Sequence, residues 1–198
     1  AGAPPAQVPA MPLDPPPIGD TIYRRFFTAG ILLVLTAGAT WGAWLLWKIG
    51  LAGKFAGAGL QDVNAHGHAQ IYGWVGLFIM GFGYQAFPRL WHTDLVAPRL
   101  AVGAFISMLA GLAVRTVAMT LSGSWDLALP TALLGGALEA AAVLIFAVQI
   151  VATFRRSLVR MEPYIGFIFV ALFWFIAQSA IDLWHTYTTV SSSAEQQI

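Results

Sequence analysis

Apolar positions in this chain come in long runs rather than short stretches. Phe26 to Trp47 and Tyr164 to Ile181 each supply about 20 predominantly apolar residues, the length that crosses a bilayer core of roughly 30 Å as helix. Four prolines outside the N-terminal segment, Pro88, Pro98, Pro130 and Pro163, fall where an apolar run stops or starts, the places where a helix tolerates proline. The pattern predicts helices over 23–49, 67–88, 98–121, 130–154 and 163–187. The fold class is therefore all-α, an integral membrane bundle of five transmembrane helices, with sequence neighbours antiparallel because the connections are short.

Residues 1–20 hold seven prolines and too little apolar surface to fold alone, so they read as an extended N-terminal arm. Residues 21–188 form the transmembrane domain and 189–198 a polar tail. The arm has neither the charged n-region nor the apolar h-region of a signal peptide, and the chain has no initiator Met. The start is thus expected to be trimmed or to lie inside the gene product, and SSSAEQQI to be a natural C-terminus.

Orientation follows from the basic residues. Arg24, Arg25, Arg89, Arg99, Arg155, Arg156 and Arg160 fall on one side of the predicted bundle, and only Lys48 and Lys54 on the other. The positive-inside rule puts the N-terminus in the cytoplasm and the C-terminus outside, in an inner membrane of bacterial type. Trp41, Trp44, Trp47, Trp125 and Trp184 near outer helix ends, and Trp91 near an inner one, read as interface anchors. Gly73, Gly76, Gly81 and Gly83, with Gly135 and Gly136 further on, allow close helix approach.

Composition sharpens this picture. At 58% hydrophobic and 10% charged the chain cannot build a water-soluble surface, and a net charge of +1 without a polybasic block gives no reason to expect nucleic acid. Without cysteine there is no disulfide, thiolate site or covalent heme attachment, which leaves histidine as the main candidate metal ligand.

The candidate chemistry concentrates in Asn64 to Arg89, where His66, His68 and Gln70 stand at the outer start of an otherwise apolar helix. His66 and His68 point about 200° apart in regular helix and cannot ligate one metal from the same face. His66 shares its face with Gln70, and His68 with Tyr72. The fifth predicted helix brings His185 to the same side of the membrane, so a bis-histidine heme b would take one imidazole from His66 or His68 and the other from His185. His92 reads as a solvated loop residue. Within the helices, Arg115 and Glu139 lie at similar depth, and an ion pair between them is the simplest way to make both tolerable. Arg115 could instead meet an anionic group such as a heme propionate. Asp182, three residues before His185, could orient that imidazole.

AHGHAQIYGW followed by GLFIMGFGYQAFPR resembles the second helix of heme-copper oxidase subunit I and of the nitric oxide reductase large subunit, a pattern shared with NnrS-like proteins. The resemblance covers about 25 residues. It implies that His66 or His68 is an axial ligand of a low-spin heme on a helix that begins on the outer side. No copper-ligating histidine cluster accompanies it, so reduction of oxygen or nitric oxide by this chain alone is not expected. The expectation is a subunit binding heme b noncovalently, for electron transfer or assembly inside a larger respiratory or photosynthetic complex, with any catalysis in a partner. The alternative is a cofactor-free structural subunit packing other membrane subunits, lipids or pigments. A transporter using Arg115, Glu139 and Asp182 comes third, since no broken-helix pair or internal repeat supports it.

Overall fold

The computed structural model describes residues 17–122 and 124–195, with side chains as far as residue 188. Five helical rods account for nearly all of it, and no strand occurs among the described residues. The first rod comprises α1 (Ile18–Leu33), a wide π-helical segment over Val34–Thr40, and α2 (Trp41–Ala52). The second comprises α3 (Leu60–His68), a π-helical segment over Ala69–Gly76, and α4 (Leu77–Leu90). The last three rods are the uninterrupted helices α5 (Pro98–Thr120), α6 (Ala128–Arg156) and α7 (Pro163–Glu195).

Local chemistry sets the ends. Pro17, extended at φ −51° and ψ 146°, precedes α1, and Pro98 and Pro163 each occupy the first position of their helix, where a missing N–H costs nothing. Gly53 closes the first rod in the left-handed region at φ 62°, the conformation a C-terminal cap needs. Pro88 lies inside the last turn of α4, two residues before the helix stops.

The helices extend past the predicted bounds. α1 starts at Ile18, inside the segment assigned to the arm, and the backbone of α7 continues into the expected polar tail. The second rod starts at residue 60 rather than 67, so His66 and His68 stand about two turns inside a helix, not at its start. Residues 1–16 of the expected arm and the last three residues of the tail lie outside the described residues.

By length and apolar character four of the five rods can cross a membrane: Ile18–Ala52, Pro98–Thr120, Ala128–Arg156 and the Pro163–Thr188 part of α7. The rod over residues 60–90 is not among them, its apolar runs being diluted by histidine, glutamine, tyrosine and glycine. Leu46, Phe167 and Trp184 are 70%, 76% and 67% exposed. A large apolar surface of this kind suits contact with lipid.

Inside, Phe26 of α1 meets Tyr84 of α4 and Phe105 of α5 at ring separations of 5.4 and 5.1 Å, and Tyr84 meets Phe146 of α6 at 5.1 Å. These rings tie four rods into one core. The closest crossing joins α5 and α6, where a Cβ at Gly111 would lie 2.6 Å from the Gly135 carbonyl oxygen. Gly135 is legible as such a position from the sequence. Trp91 corrects the expectation of an interface anchor: it is buried, stacked on Phe87 at 5.4 Å and edge-on to Phe154 at 5.3 Å. Its place after the end of α4 carries the indole inward, between Phe87 and Phe154 of α6.

Candidate functional site

The two histidines of α3 diverge as regular helix geometry requires, and both turn inward, toward different neighbours. His66 Nδ1 donates to the Ala37 carbonyl oxygen at 2.8 Å, inside the wide turn of the first rod, with Trp41 edge-on at 5.8 Å. Gln70 lies on the same face, against Gly38 of that turn, where a Cβ would collide with its side-chain amide. His66 and Gln70 thus lock the second rod to the first.

His68 faces the other three rods. Its Nε2 donates to Glu139 Oε2 on α6 at 2.9 Å, and its Nδ1 lies 3.6 Å from Asp182 Oδ2 on α7. Tyr72, one turn on, stacks on the imidazole at 4.6 Å and reaches the Ser179 hydroxyl of α7 at 3.3 Å. Ser179 in turn donates to the Phe175 carbonyl at 3.0 Å.

Arg115 of α5 completes the cluster. Its guanidinium donates from Nη1 to Glu139 Oε2 at 3.2 Å and grips Asp182 with both terminal nitrogens, Nη2 to Oδ1 at 3.0 Å and Nη1 to Oδ2. The ion pair of Arg115 with Glu139 expected from their depths is present, but the two-pronged partner of Arg115 is Asp182. Asp182 therefore takes the position assigned in expectation to an anionic ligand group. His68, Arg115 and Glu139 are 7%, 1% and 1% exposed. Four ionisable side chains from four rods thus compensate one another within an apolar bundle, the only economical way to carry charge there.

The sequence allows this assembly because small residues surround it. At Gly135 a Cβ would stand 2.7 Å from both the Arg115 backbone nitrogen and Cβ, and at Gly136 it would be 2.8 Å from Leu183 on α7. Larger residues would hold α5 and α7 away from α6 and part the charges.

Beside the cluster opens a cavity of about 220 Å³. His68, Tyr72, Arg115, Gln178, Asp182 and His185 line it, together with Asn64 and Gly67 of α3. His68 and His185, two of the predicted heme ligands, therefore share one cavity with Arg115, whereas His66 is directed to the first rod. His92 sits exposed in the connection after α4, as expected of a loop residue. Gln178 and Ser179 were not singled out from the sequence; their signal is a polar pair on the turn before Asp182 in an otherwise apolar helix. A second buried polar group was also missed. Tyr84 donates to Gln149 at 2.8 Å, and Gln149 donates to the carbonyls of Val96 and Ala97 at 3.0 and 2.9 Å. That group pins the connection before α5 to α6 and lines no part of the cavity.

Two cofactor chemistries can be tested against this geometry. His68, Glu139 and Asp182 offer donor atoms within 4.8 Å of one another, the grouping a metal ion would need. Arg115 Nη1, however, contacts the same Glu139 Oε2 and Asp182 Oδ2 oxygens, so a guanidinium already stands in the cation position. Heme b does not fit the arrangement either: both nitrogens of His68 face carboxylates, and the cavity is smaller than the roughly 300–1,000 Å³ of ordinary cofactor pockets.

Comparison with known proteins finds no matching family model, no matching curated protein and no matching solved structure.

Proposed function

We propose that this chain is a ligand-binding subunit of a multi-pass membrane assembly, its site being the cavity walled by His68, Arg115, Gln178, Asp182 and His185. One observation carries the reading: an apolar bundle holds four converging ionisable groups, and three of them, His68, Arg115 and Asp182, border an open cavity. The cluster fixes the shape of the cavity, and the residues at its mouth, Asn64, Gln178 and His185, supply polar contacts. Nothing in the arrangement pairs a nucleophile with a base toward a bound carbonyl or phosphoryl group, so any catalysis belongs to a partner subunit of a respiratory or photosynthetic complex.

In this reading all five rods span an inner membrane of bacterial type, with the N-terminus in the cytoplasm and the cavity in the outer half. The seven-to-two division of basic residues supports that orientation.

Gly67 provides the test of the site. It lines the cavity, and a Cβ there would meet nothing within 4 Å, so a cysteine is accommodated. In membranes, Gly67→Cys should react with a small uncharged methanethiosulfonate at a rate comparable to Leu60→Cys, whose position is 70% exposed outside the cavity. An unreactive Gly67→Cys beside a reactive Leu60→Cys would show that no such cavity exists.

A second reading is heme b ligation by His68 and His185, favoured by their lining the same cavity with Arg115 and by the resemblance of the second rod to oxidase subunit I. It requires His68 to leave Glu139 and the second and fifth rods to part. The purified protein would then show a Soret band, with the low-spin spectrum lost in His68→Ala or His185→Ala. A colourless protein excludes it.

A further inference from the structure

Below the polar cavity, and between the same two rods, lies a larger and wholly different one. It has a volume of about 460 Å³ and is lined by Ile79 and Phe87 of α4, Phe146 of α6, and Phe167, Leu172 and Phe175 of α7 among others. No polar side chain lines it. The two cavities meet at one aromatic wall: Tyr72 borders the polar cavity, Phe175 borders the apolar one, and their rings lie 6.2 Å apart. Phe175 Cζ reaches across to within 3.7 Å of a Cβ built at Gly76, so the seam between the rods is bridged there by a single side chain. Each cavity is open at the surface, the upper beside Ile71 at 58% exposure and the lower beside Ile79 and Phe167 at 48% and 76%.

We infer that this seam binds one amphiphile from the bilayer, an uncharged single-tailed lipid with hydroxyl or carbonyl oxygens in its head group. The inference rests on the cavity reading above and names its ligand class. The apolar groove takes a hydrocarbon tail, and the 220 Å³ cavity takes a glycerol-sized head.

Charge decides the head. Arg115 contributes +1, Glu139 and Asp182 −1 each, and two imidazoles complete the set, so the sum is −1 with both neutral and zero with one protonated. Neither state has positive charge to spare for an anion, and Arg115 already gives three of its N–H groups, two from Nη1 and one from Nη2, to Asp182 and Glu139. A cationic head would have to displace the guanidinium that already stands between the carboxylates. What remains is hydrogen bonding. Arg115 Nε is buried without a partner on a residue lining the cavity, and the Gln178 amide stands at its mouth.

The test uses the full chain in phosphatidylcholine nanodiscs and three probes with one tail length: monodecanoylglycerol, decyl phosphate and decyltrimethylammonium. Monodecanoylglycerol should bind saturably with one molecule per chain and about tenfold more tightly than either charged probe. Gln178→Leu, at an exposed position, should weaken it about tenfold by removing a hydrogen-bonding partner of the head. Ala171→Trp, which fills the groove from another exposed position, should weaken all three probes alike. Equal affinity for the three heads, or an affinity unchanged by Ala171→Trp, would overturn the inference and leave ordinary bilayer lipid along the seam. If Gly67→Cys is reactive while monodecanoylglycerol does not bind, the cavity reading stands and the lipid assignment alone fails.

Discussion

Arg115 holds the centre of gravity of this molecule, because among the described residues the other interior charges, His68, Glu139 and Asp182, are arranged around it. Its two partners are unequal: Asp182 is gripped by both terminal nitrogens, whereas Glu139 receives one bond and shares its oxygen with His68. Losing one member of a buried ion pair typically costs about 3–5 kcal/mol, since the survivor is left uncompensated. Arg115→Ala strands two carboxylates facing each other and should be the most destabilising single substitution in the cluster. Asp182→Asn should cost about 3 kcal/mol, at the low end, because Glu139 still compensates the guanidinium. The Arg115→Ala, Asp182→Asn double variant should be less destabilised than the sum of the singles, by more than about 1 kcal/mol, as expected for residues in contact. Denaturant melts in detergent give all three values, and strict additivity would mean that the pair is not coupled.

At the scale of elements, the α5–α6 crossing sets how close the charges come. Gly111 and Gly135 meet backbone to backbone, so an added methyl has no flexible side chain to push aside. Gly135→Ala should destabilise by about 1–3 kcal/mol through overpacking, although alanine is the better helix former. Gly67→Ala, which meets nothing, should be neutral or stabilising by up to about 1 kcal/mol. If the two glycines respond alike, close approach is not why Gly135 is there.

This level also shows where the sequence is legible. Long apolar runs, proline positions and the two faces of α3 can be read directly, because each depends on local geometry alone. The pairing of Arg115 with Glu139 can be read because antiparallel neighbours leave few choices of depth. Asp182 cannot be assigned to Arg115, since that needs the rotation of α7 about its axis, and rotation is set by how Leu183 packs on Gly136. Trp91 misleads for a related reason. A tryptophan just past a helix end resembles an anchor until the path of the chain after Leu90 is known.

For the whole molecule, the surface divides the rods unequally. Four present apolar spans long enough for a bilayer, three of which carry the inward Arg115, Glu139 and Asp182, while the rod over residues 60–90 adds His66, His68 and Gln70. A bundle with its polarity inside and its apolar side chains outside is expected to insert with all five rods. A cysteine at Ser192 in an otherwise cysteine-free chain should then be labelled from the outer face only, and labelling from the cytoplasmic face would reverse the orientation. The same substitution tests whether the basic residues at 155, 156 and 160 are cytoplasmic, because α7 lies between them and the label.

The wide segments over Val34–Thr40 and Ala69–Gly76 have one more implication. A π-helical turn is an α-helix with a residue to spare, and the widened turn absorbs it, so the helices on either side face as they would with one residue fewer. Deleting one residue there lets the rod relax to ordinary α-helix with both flanks in place, whereas the same deletion in regular helix would turn the preceding stretch by about 100°. Removal of Ile71, an exposed side chain, should therefore leave His66 on Ala37 and His68 on Glu139, and thermal melts of the shortened chain should show little loss. Ile71→Ala at the same position should do almost nothing. The spare residue is thus slack in the rod, and the two imidazoles reach opposite partners with or without it.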